Sequence, residues 1–156
     1  MQIKLGLILI AAFSLSNDVT TKLGNQQQTA IALPGTWELI SGTTITKGDS
    51  LVVDYTKNQR MIKIINKTHF AFLRHDLGKG KSPDAVFESG GGSYTLVGDK
   101  YTEYLEYCNL REWEGKKFQF TIAIKKDTLI QRGIEKVEEA GINREIIERY
   151  RRVQKN

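Results

Sequence analysis

The sequence has very little cysteine or proline, and the scarcity of cysteine limits how the fold can be held together. Among 156 residues there are one cysteine, Cys108, and two prolines. One thiol cannot form an intramolecular disulfide, and it cannot supply the several sulfur ligands of a multi-cysteine metal site. Hydrogen bonds and core packing must therefore stabilise the fold. We expect Cys108 to be a small core residue rather than a nucleophile.

An excess of one charge and the common catalytic motifs are also lacking. The chain carries 23 Lys and Arg against 18 Asp and Glu, a balance too mild to indicate nucleic-acid binding. It has no Gly-x-Ser-x-Gly turn, phosphate-binding glycine loop or dinucleotide fingerprint. On one extended strand, His69 and His75 would lie about 20 Å apart, too far to share a metal ion. We therefore expect no metal, no cofactor, no catalytic residue and no nucleic-acid partner.

The first 16 residues, MQIKLGLILIAAFSLS, have the layout of a secretory signal peptide. Lys4 precedes the apolar run Leu5–Phe13, and small residues follow. That run is too short to cross about 30 Å of hydrocarbon as a helix, so we expect no transmembrane segment. We predict cleavage near Ser16 and export to the periplasm or the extracellular space, with residues 17–33 as a polar tether and 34–156 as the folded domain. The alternative is an N-terminal strand or helix that packs on the core.

From Gly35 onward, short stretches rich in β-branched and aromatic residues alternate with turn signals such as Gly98-Asp99. Strands at this spacing, with no helical segments between them, are typical of an all-β sandwich or barrel. In the best-patterned stretch, alternate residues from Phe118 to Ile124 are apolar, as in a half-buried antiparallel strand. The predicted strands are Thr36–Thr46, Ser50–Thr56, Arg60–Ile65, Thr68–Arg74, Ser93–Val97, Tyr101–Cys108, Lys117–Lys125 and Thr128–Ile134.

The stretch Tyr101–Cys108 carries a carboxylate on each of its two faces. Strict alternation places Glu103 on one face with Tyr101, Leu105 and Tyr107. If this face lines a barrel interior, the Glu103 carboxylate needs a partner or a raised pKa. The alternative places Glu103 near a barrel mouth, in water.

The C-terminal residues 144–153 fit a helix and a strand equally well. Glutamates stand four residues before arginines, at Glu145 and Arg149 and at Glu148 and Arg152, which favours a helix. Closure of a barrel favours a strand, because an open sheet edge would otherwise remain. The residues alone leave both alternatives open.

Several segments of the chain resemble those of a known group of barrel proteins. The segment Gly35–Leu39, GTWEL, resembles the Gly-x-Trp motif that opens the first strand of lipocalins and fatty-acid-binding proteins. The later segments are similar, in their order, to exported bacterial lipocalin-like proteins, which are mostly uncharacterised. The similar segments are Thr68–Phe72, Gly90–Leu96, Tyr101–Glu103, Asp127–Gln131 and Glu145–Val153.

This resemblance implies an up-and-down antiparallel barrel of about 8–10 strands, and a strand rather than a helix for the tail. It implies that Trp37 closes one end of the barrel and packs under Arg149 or Arg151. Two features of the family are missing. Residues 42–59 look like a hairpin rather than the helical lid of fatty-acid-binding proteins, and Arg149 and Tyr150 are adjacent, so they cannot share a face to hold a fatty-acid carboxylate.

Three functions fit such a barrel. The first is a non-catalytic binding protein that holds one small, partly apolar ligand. The second is a structural or partner-binding barrel with a filled lumen. The third is an isomerase or cyclase acting on a lipophilic substrate, with Glu103 or His69 as general base. For the first function, alternation indicates the ligand-binding candidates Phe70 or His69, Tyr94, Glu103, Tyr107 and Gln131, and Trp113 would lie at an entrance.

Overall fold

The computed structural model describes residues 32–154. The predicted signal segment and nearly all of the predicted tether lie outside these residues. The described chain forms antiparallel strands with short connections, and 3₁₀ turns at Arg111–Trp113 and Glu138–Ala140. The strands are β1 (Gly35–Thr46), β2 (Asp49–Asp54), β3 (Gln59–Ile65), β4 (His69–Asp76), β5 (Phe87–Val97), β6 (Lys100–Cys108), β7 (Lys116–Lys125), β8 (Thr128–Val137) and β9 (Ile142–Arg152).

The sheet closes on itself through β1. One edge of β1 pairs with β3 along its first half and with β2 along its second half, so β2 and β3 together fill a single strand position. The other edge of β1 pairs with β9. The result is a closed antiparallel barrel of eight strand positions, which confirms the predicted fold class. Closure pairs the edges that an open sheet would leave free.

The C-terminal segment is a strand, as the resemblance implied, and the helix alternative is wrong. Two of its charged residues have partners on the neighbouring strand β8. Glu145 accepts a hydrogen bond from Arg132 at 2.6 Å, and Arg144 donates one to Glu135 at 2.7 Å. Of the residues that suggested a helix, Glu145 has a cross-strand partner, Glu148 accepts a hydrogen bond from Tyr150, and Arg152 contacts Trp37. Barrel closure gives β9 two bonded edges, which a helix could not use.

Strand β5 begins earlier than predicted, at Phe87 rather than Ser93, and it contains the glycines Gly90–Gly92. The sequence hides the first half of this strand because three glycines look like a break. Here they permit close packing: a Cβ on Gly91 would lie 2.6 Å from the carbonyl oxygen of Phe70. Gly92 faces the backbone of Tyr104 even more closely.

A β-bulge beside these glycines overturns one sequence expectation. Gly91 is opposite Tyr107 and Gly92 is opposite Leu105, so Glu106 is an extra residue in β6. An extra residue reverses the alternation that follows it. Tyr107 therefore points outward and is 68% exposed, whereas the interior-facing residue is Cys108. The prediction that Tyr107 shares the inner face with Glu103 is wrong for this reason.

One end of the barrel is sealed by a buried apolar cluster around Trp37. The Trp37 indole nitrogen donates to the carbonyl oxygen of Leu33 at 2.9 Å, and Leu33 is only 1% exposed, so this residue of the predicted tether packs on the barrel. Other members of this end are Leu39, Ile65, Tyr101, Ile122, Leu129 and Tyr150.

The basic residue over Trp37 is Arg152. Its guanidinium lies 3.9 Å from the Trp37 ring centroid and donates to the carbonyl oxygens of Pro34 and Ala32. This corrects the expectation of Arg149 or Arg151. Arg151 reaches Glu38 instead, and Arg149 is exposed. The resemblance predicted an arginine packed against Trp37, but it did not predict the register of β9 against β1, which decides which arginine it is.

Across residues 32–154, no helix has both the length and the apolar character needed to span a bilayer.

Candidate ligand-binding cavity

Beyond the sealed end, the lumen contains a cavity of about 370 Å³. This volume falls within the range of small-molecule pockets, about 300–1,000 Å³. Trp113, on the 3₁₀ turn after β6, lies in its wall and packs against Phe118 with ring centroids 5.6 Å apart. The apolar part of the wall consists of Leu51, Val53, Met61, Phe72, Leu105, Leu110, Trp113, Phe118, Phe120 and Ile146.

A glycine on β1 lies in the cavity wall beside Glu148. Gly42 faces inward beside Glu148, its partner across the β1–β9 ladder. A Cβ at Gly42 would approach the Tyr55 ring to 3.0 Å, which is tight contact. The Tyr55 ring therefore packs over Gly42 and occupies the place that a side chain would take there.

The floor of the cavity is a buried hydrogen-bonded network on three strands. Lys63 on β3 donates to Glu103 on β6 at 2.7 Å and to Gln131 on β8 at 3.1 Å. The Lys63 side chain is 3% exposed and that of Glu103 is 9% exposed. Buried charges are tolerated when they are paired and hydrogen-bonded, and this pair meets both conditions.

Aromatic rings surround the same ammonium group. The Lys63 nitrogen lies 5.7 Å from the ring centroid of Phe70, 6.0 Å from that of Tyr101 and 5.5 Å from that of Tyr150. Cations near ring faces at such distances are electrostatically favoured, most strongly when water is excluded. The floor thus separates the sealed apolar end from the cavity. Its one cation, the Lys63 ammonium, is stabilised by the Glu103 carboxylate and by the three rings.

Tyr101 supplies the exception in this network. Its hydroxyl is the one buried side-chain oxygen or nitrogen without a hydrogen-bond partner in the described part of the chain. Burial, and secondarily the charge of Glu103, raise the pKa of Tyr101 far above its usual value. The hydroxyl therefore stays protonated beneath the floor.

Two further ion pairs lie in the cavity, farther from the sealed end than Lys63. Arg74 donates to Glu88 at 2.9 Å, and Arg144 donates to Glu135 at 2.7 Å. The Arg144 guanidinium also lies 5.9 Å from the Trp113 ring centroid. Burial raises the pKa of Glu135, while Arg144 opposes the shift. Both arginines are therefore already engaged by carboxylates.

Glu148 is the remaining carboxylate of the cavity. It accepts a hydrogen bond from the Tyr150 hydroxyl at 2.7 Å, but within the described residues no cation lies at salt-bridge distance from it. Burial raises the pKa of Glu148, and the charge of Lys63 only partly opposes the shift. The carboxylates of Glu135 and Glu103 raise this pKa further. Glu148 is thus an acid without a matching positive charge.

Three of the predicted site residues meet in this cavity. Glu103, Trp113 and Gln131 all line it, the first and last in the floor and Trp113 in the wall. Phe70 is interior but packs under Lys63, so it contacts the floor from the sealed side.

The other predicted site residues lie elsewhere. His69 is on the exterior, where its Nδ1 and the Thr68 hydroxyl are hydrogen-bonded at 2.7 Å. Tyr94 donates to the carbonyl oxygen of Asn66 at 2.7 Å and packs against Tyr101, outside the cavity wall. Tyr107 points outward because of the bulge in β6.

The charged residues Lys63, Arg74, Arg144 and Glu148 were not predicted as site residues. For Lys63 the sequence does contain a signal. Met61, Lys63 and Ile65 share one strand face, so if the apolar Met61 and Ile65 point to the interior, Lys63 points there too. Glu148 lies between Ile146 and Tyr150 in the same manner, but the helix alternative obscured that pattern.

Comparisons with known proteins do not name a family. No protein-family model matches the chain, and no curated protein matches it. One solved structure to which the chain is similar is that of an uncharacterized protein from Bacteroides eggerthii DSM 20697. It is 14% identical, with a TM-score of 0.44, and the match covers 77% of this chain and 98% of that chain. At this level the similarity carries no argument about this chain, and the lipocalin-like resemblance stays a prediction.

Proposed function

We propose that this protein is an exported, lipocalin-like barrel that binds a small, partly apolar molecule in its lumen without changing it chemically. The observation that carries the proposal is the cavity of about 370 Å³ above the Lys63 floor. Apolar walls with a few convergent polar groups are the usual composition of a small-molecule site. This cavity combines an aromatic and aliphatic wall with the polar groups of Glu103, Gln131 and Glu148.

The interior volume favours binding over the alternative of a structural barrel with a filled lumen. Phe118, Phe120 and Ile122 are buried and point inward, as that alternative required, yet they leave the space above Lys63 open. Side chains fill protein cores to crystal-like density, and they leave few voids larger than a water molecule. A cavity of this size is therefore better explained by an occupant.

The enzyme alternative has less support. Its first candidate base, Glu103, is held by Lys63 in the buried floor. Its second, His69, lies outside the barrel and cannot reach a molecule in the lumen. A general base must come within hydrogen-bond reach of the proton it removes.

Native mass spectrometry of the protein purified from its own cell envelope tests the proposal. We expect one small molecule per chain, released on collisional activation. Thr44→Phe, whose side chain faces the cavity opposite Ile146, should abolish the adduct. Thr95→Phe on the exterior of β5 is the matched control and should retain it. A bare wild-type mass that also takes up no excess N-phenyl-1-naphthylamine, an uncharged apolar probe, would overturn the proposal.

The same sample tests export. The expected mature chain starts at Asn17, since cleavage is predicted after Ser16. An intact mass that still includes Met1, in protein recovered from the cytoplasm, would contradict this part of the proposal.

A further inference from the structure

The charges that face the cavity do not balance. The lining contains the cations Lys63, Arg74 and Arg144, and the four carboxylates Glu88, Glu103, Glu135 and Glu148. Each cation is within 2.9 Å of one carboxylate oxygen, in the pairs Lys63–Glu103, Arg74–Glu88 and Arg144–Glu135. Glu148 is left over, so the cavity holds one carboxyl group more than it holds cations.

From this imbalance we infer that the lumen selects a small amphiphilic amine, with its ammonium group on the Glu148 carboxylate and its apolar part along the aromatic wall. The inference rests on the proposed binding function and adds the chemical class of the ligand. It also names Glu148 as the residue that distinguishes this class from neutral and acidic molecules of the same size.

The local geometry admits such a group. Glu148 lies between Gly42 on β1 and Gln131 on β8 in the sheet ladders. The Tyr55 ring packs over Gly42, and the Tyr150 hydroxyl occupies only one of the carboxylate oxygens of Glu148, Oε2. An ammonium carries three donors and no acceptor, which suits an acceptor-only carboxylate and the Gln131 oxygen next to it. Ile146, two residues farther from the sealed end on β9, belongs to the apolar wall that would contact the rest of the ligand.

An anionic ligand fits the same cavity poorly. Arg74 and Arg144 are already bound to carboxylates, so an acid would need to break an ion pair or lie uncompensated near Glu148. A neutral ligand would leave Glu148 without a cationic partner. Burying a charge without a partner is costly, and burial already raises the pKa of Glu148. A ligand ammonium would supply the missing partner.

Displacement of N-phenyl-1-naphthylamine by three ligands of equal length tests the inference. We expect hexylamine to displace the probe at a concentration at least about tenfold lower than 1-hexanol, since a hydrogen bond to a charged group is stronger than a neutral one. Hexanoate should be the weakest of the three. In Glu148→Gln the advantage of hexylamine over hexanol should disappear, whereas Glu145→Gln on the outer face of β9 should keep it.

The outcomes separate the two proposals. If the probe binds and hexanol or hexanoate competes as well as hexylamine, the amine inference is wrong while the binding function stands. If Glu148→Gln retains the full preference for hexylamine, the assignment of Glu148 is wrong. If neither the probe nor any competitor binds, the proposed function itself fails. The wild-type ligand series decides the amine preference even if Glu148→Gln does not fold.

Discussion

Replacement of Lys63 by methionine removes the positive charge of the cavity floor and keeps most of the length of the side chain. The Lys63 side chain is 3% exposed. Its ammonium group donates to Glu103 at 2.7 Å and to Gln131 at 3.1 Å, and it lies among three aromatic rings. Its loss would leave the Glu103 carboxylate buried and unpaired. Breaking one side of a buried ion pair costs about 3–5 kcal/mol, so we expect Lys63→Met to lose that much of its free energy of unfolding.

Urea unfolding at neutral pH, followed by tryptophan fluorescence, measures this loss. Trp37 reports on the sealed end and Trp113 on the cavity wall. The matched control is Lys117→Met on the exposed face of β7, for which we expect a change within about 0.5 kcal/mol. The double variant Lys63→Met with Glu103→Gln removes the stranded charge and should regain about 2 kcal/mol over the single variant.

The reasoning would be refuted by either of two results. One is a loss below about 1 kcal/mol in Lys63→Met, which would mean that the charge is not buried and paired as described. The other is a double variant no more stable than Lys63→Met, which would mean that the single variant suffers from poor packing and not from an unpaired carboxylate.

Three further predictions concern stability. Arg152→Met should lower the free energy of unfolding by about 2 kcal/mol, because it removes the contact with the Trp37 ring and the hydrogen bonds to backbone carbonyls. The control Arg151→Met should lower it by about 1 kcal/mol or less, and equal losses in urea unfolding would contradict the Arg152 assignment. Gly92→Ala should lose about 2–3 kcal/mol in the same assay, because its Cβ would collide with the β6 backbone; a neutral change would contradict the packing at the bulge. The pKa of Glu148 is raised above 4.5, so the folded chain keeps a proton that the unfolded chain releases. The free energy of unfolding of the wild type should therefore fall relative to that of Glu148→Gln as the pH rises above 4.5. A difference that stays constant across unfolding curves at several pH values would contradict this.

Local patterns were enough to predict most of the barrel. Alternation correctly placed Phe118 and Phe120 inside, and turn signals such as Gly98-Asp99 correctly separated neighbouring strands. These features depend only on the two-residue period of a strand and on the backbone freedom of turn residues. Barrel closure itself was predicted from the resemblance, since the tail alone fitted a helix equally well.

The bulge in β6 shows where local patterns fail. Nothing in the residues around Glu106 marks it as the extra residue, because the bulge arises from the fit of β6 against the glycines of β5. One inserted residue moved Tyr107 out of the interior and Cys108 into it. The choice of Arg152 over Trp37 likewise depends on the register of β9 against β1, which pairing across the whole chain sets.

The candidate site could be predicted only in part for a related reason. Glu103 and Gln131 were expected in the lumen, but their shared partner Lys63 lies 40 and 68 residues away along the chain. Such a network forms only when β3, β6 and β8 face one another across the closed barrel. A strand pattern can place a charge on an inner face, but it cannot name the partner across the lumen.

An NMR titration of the ¹⁵N-labelled protein with N-phenyl-1-naphthylamine tests most directly whether the lumen is a binding site. We predict saturable one-to-one shifts concentrated at amides of the cavity wall and floor, such as Leu105, Gln131 and Glu148. The exterior also carries exposed apolar side chains, including Phe87 and Tyr107, which offer the probe a competing surface. Shifts confined to those exterior residues, with the cavity amides unchanged, would contradict the account.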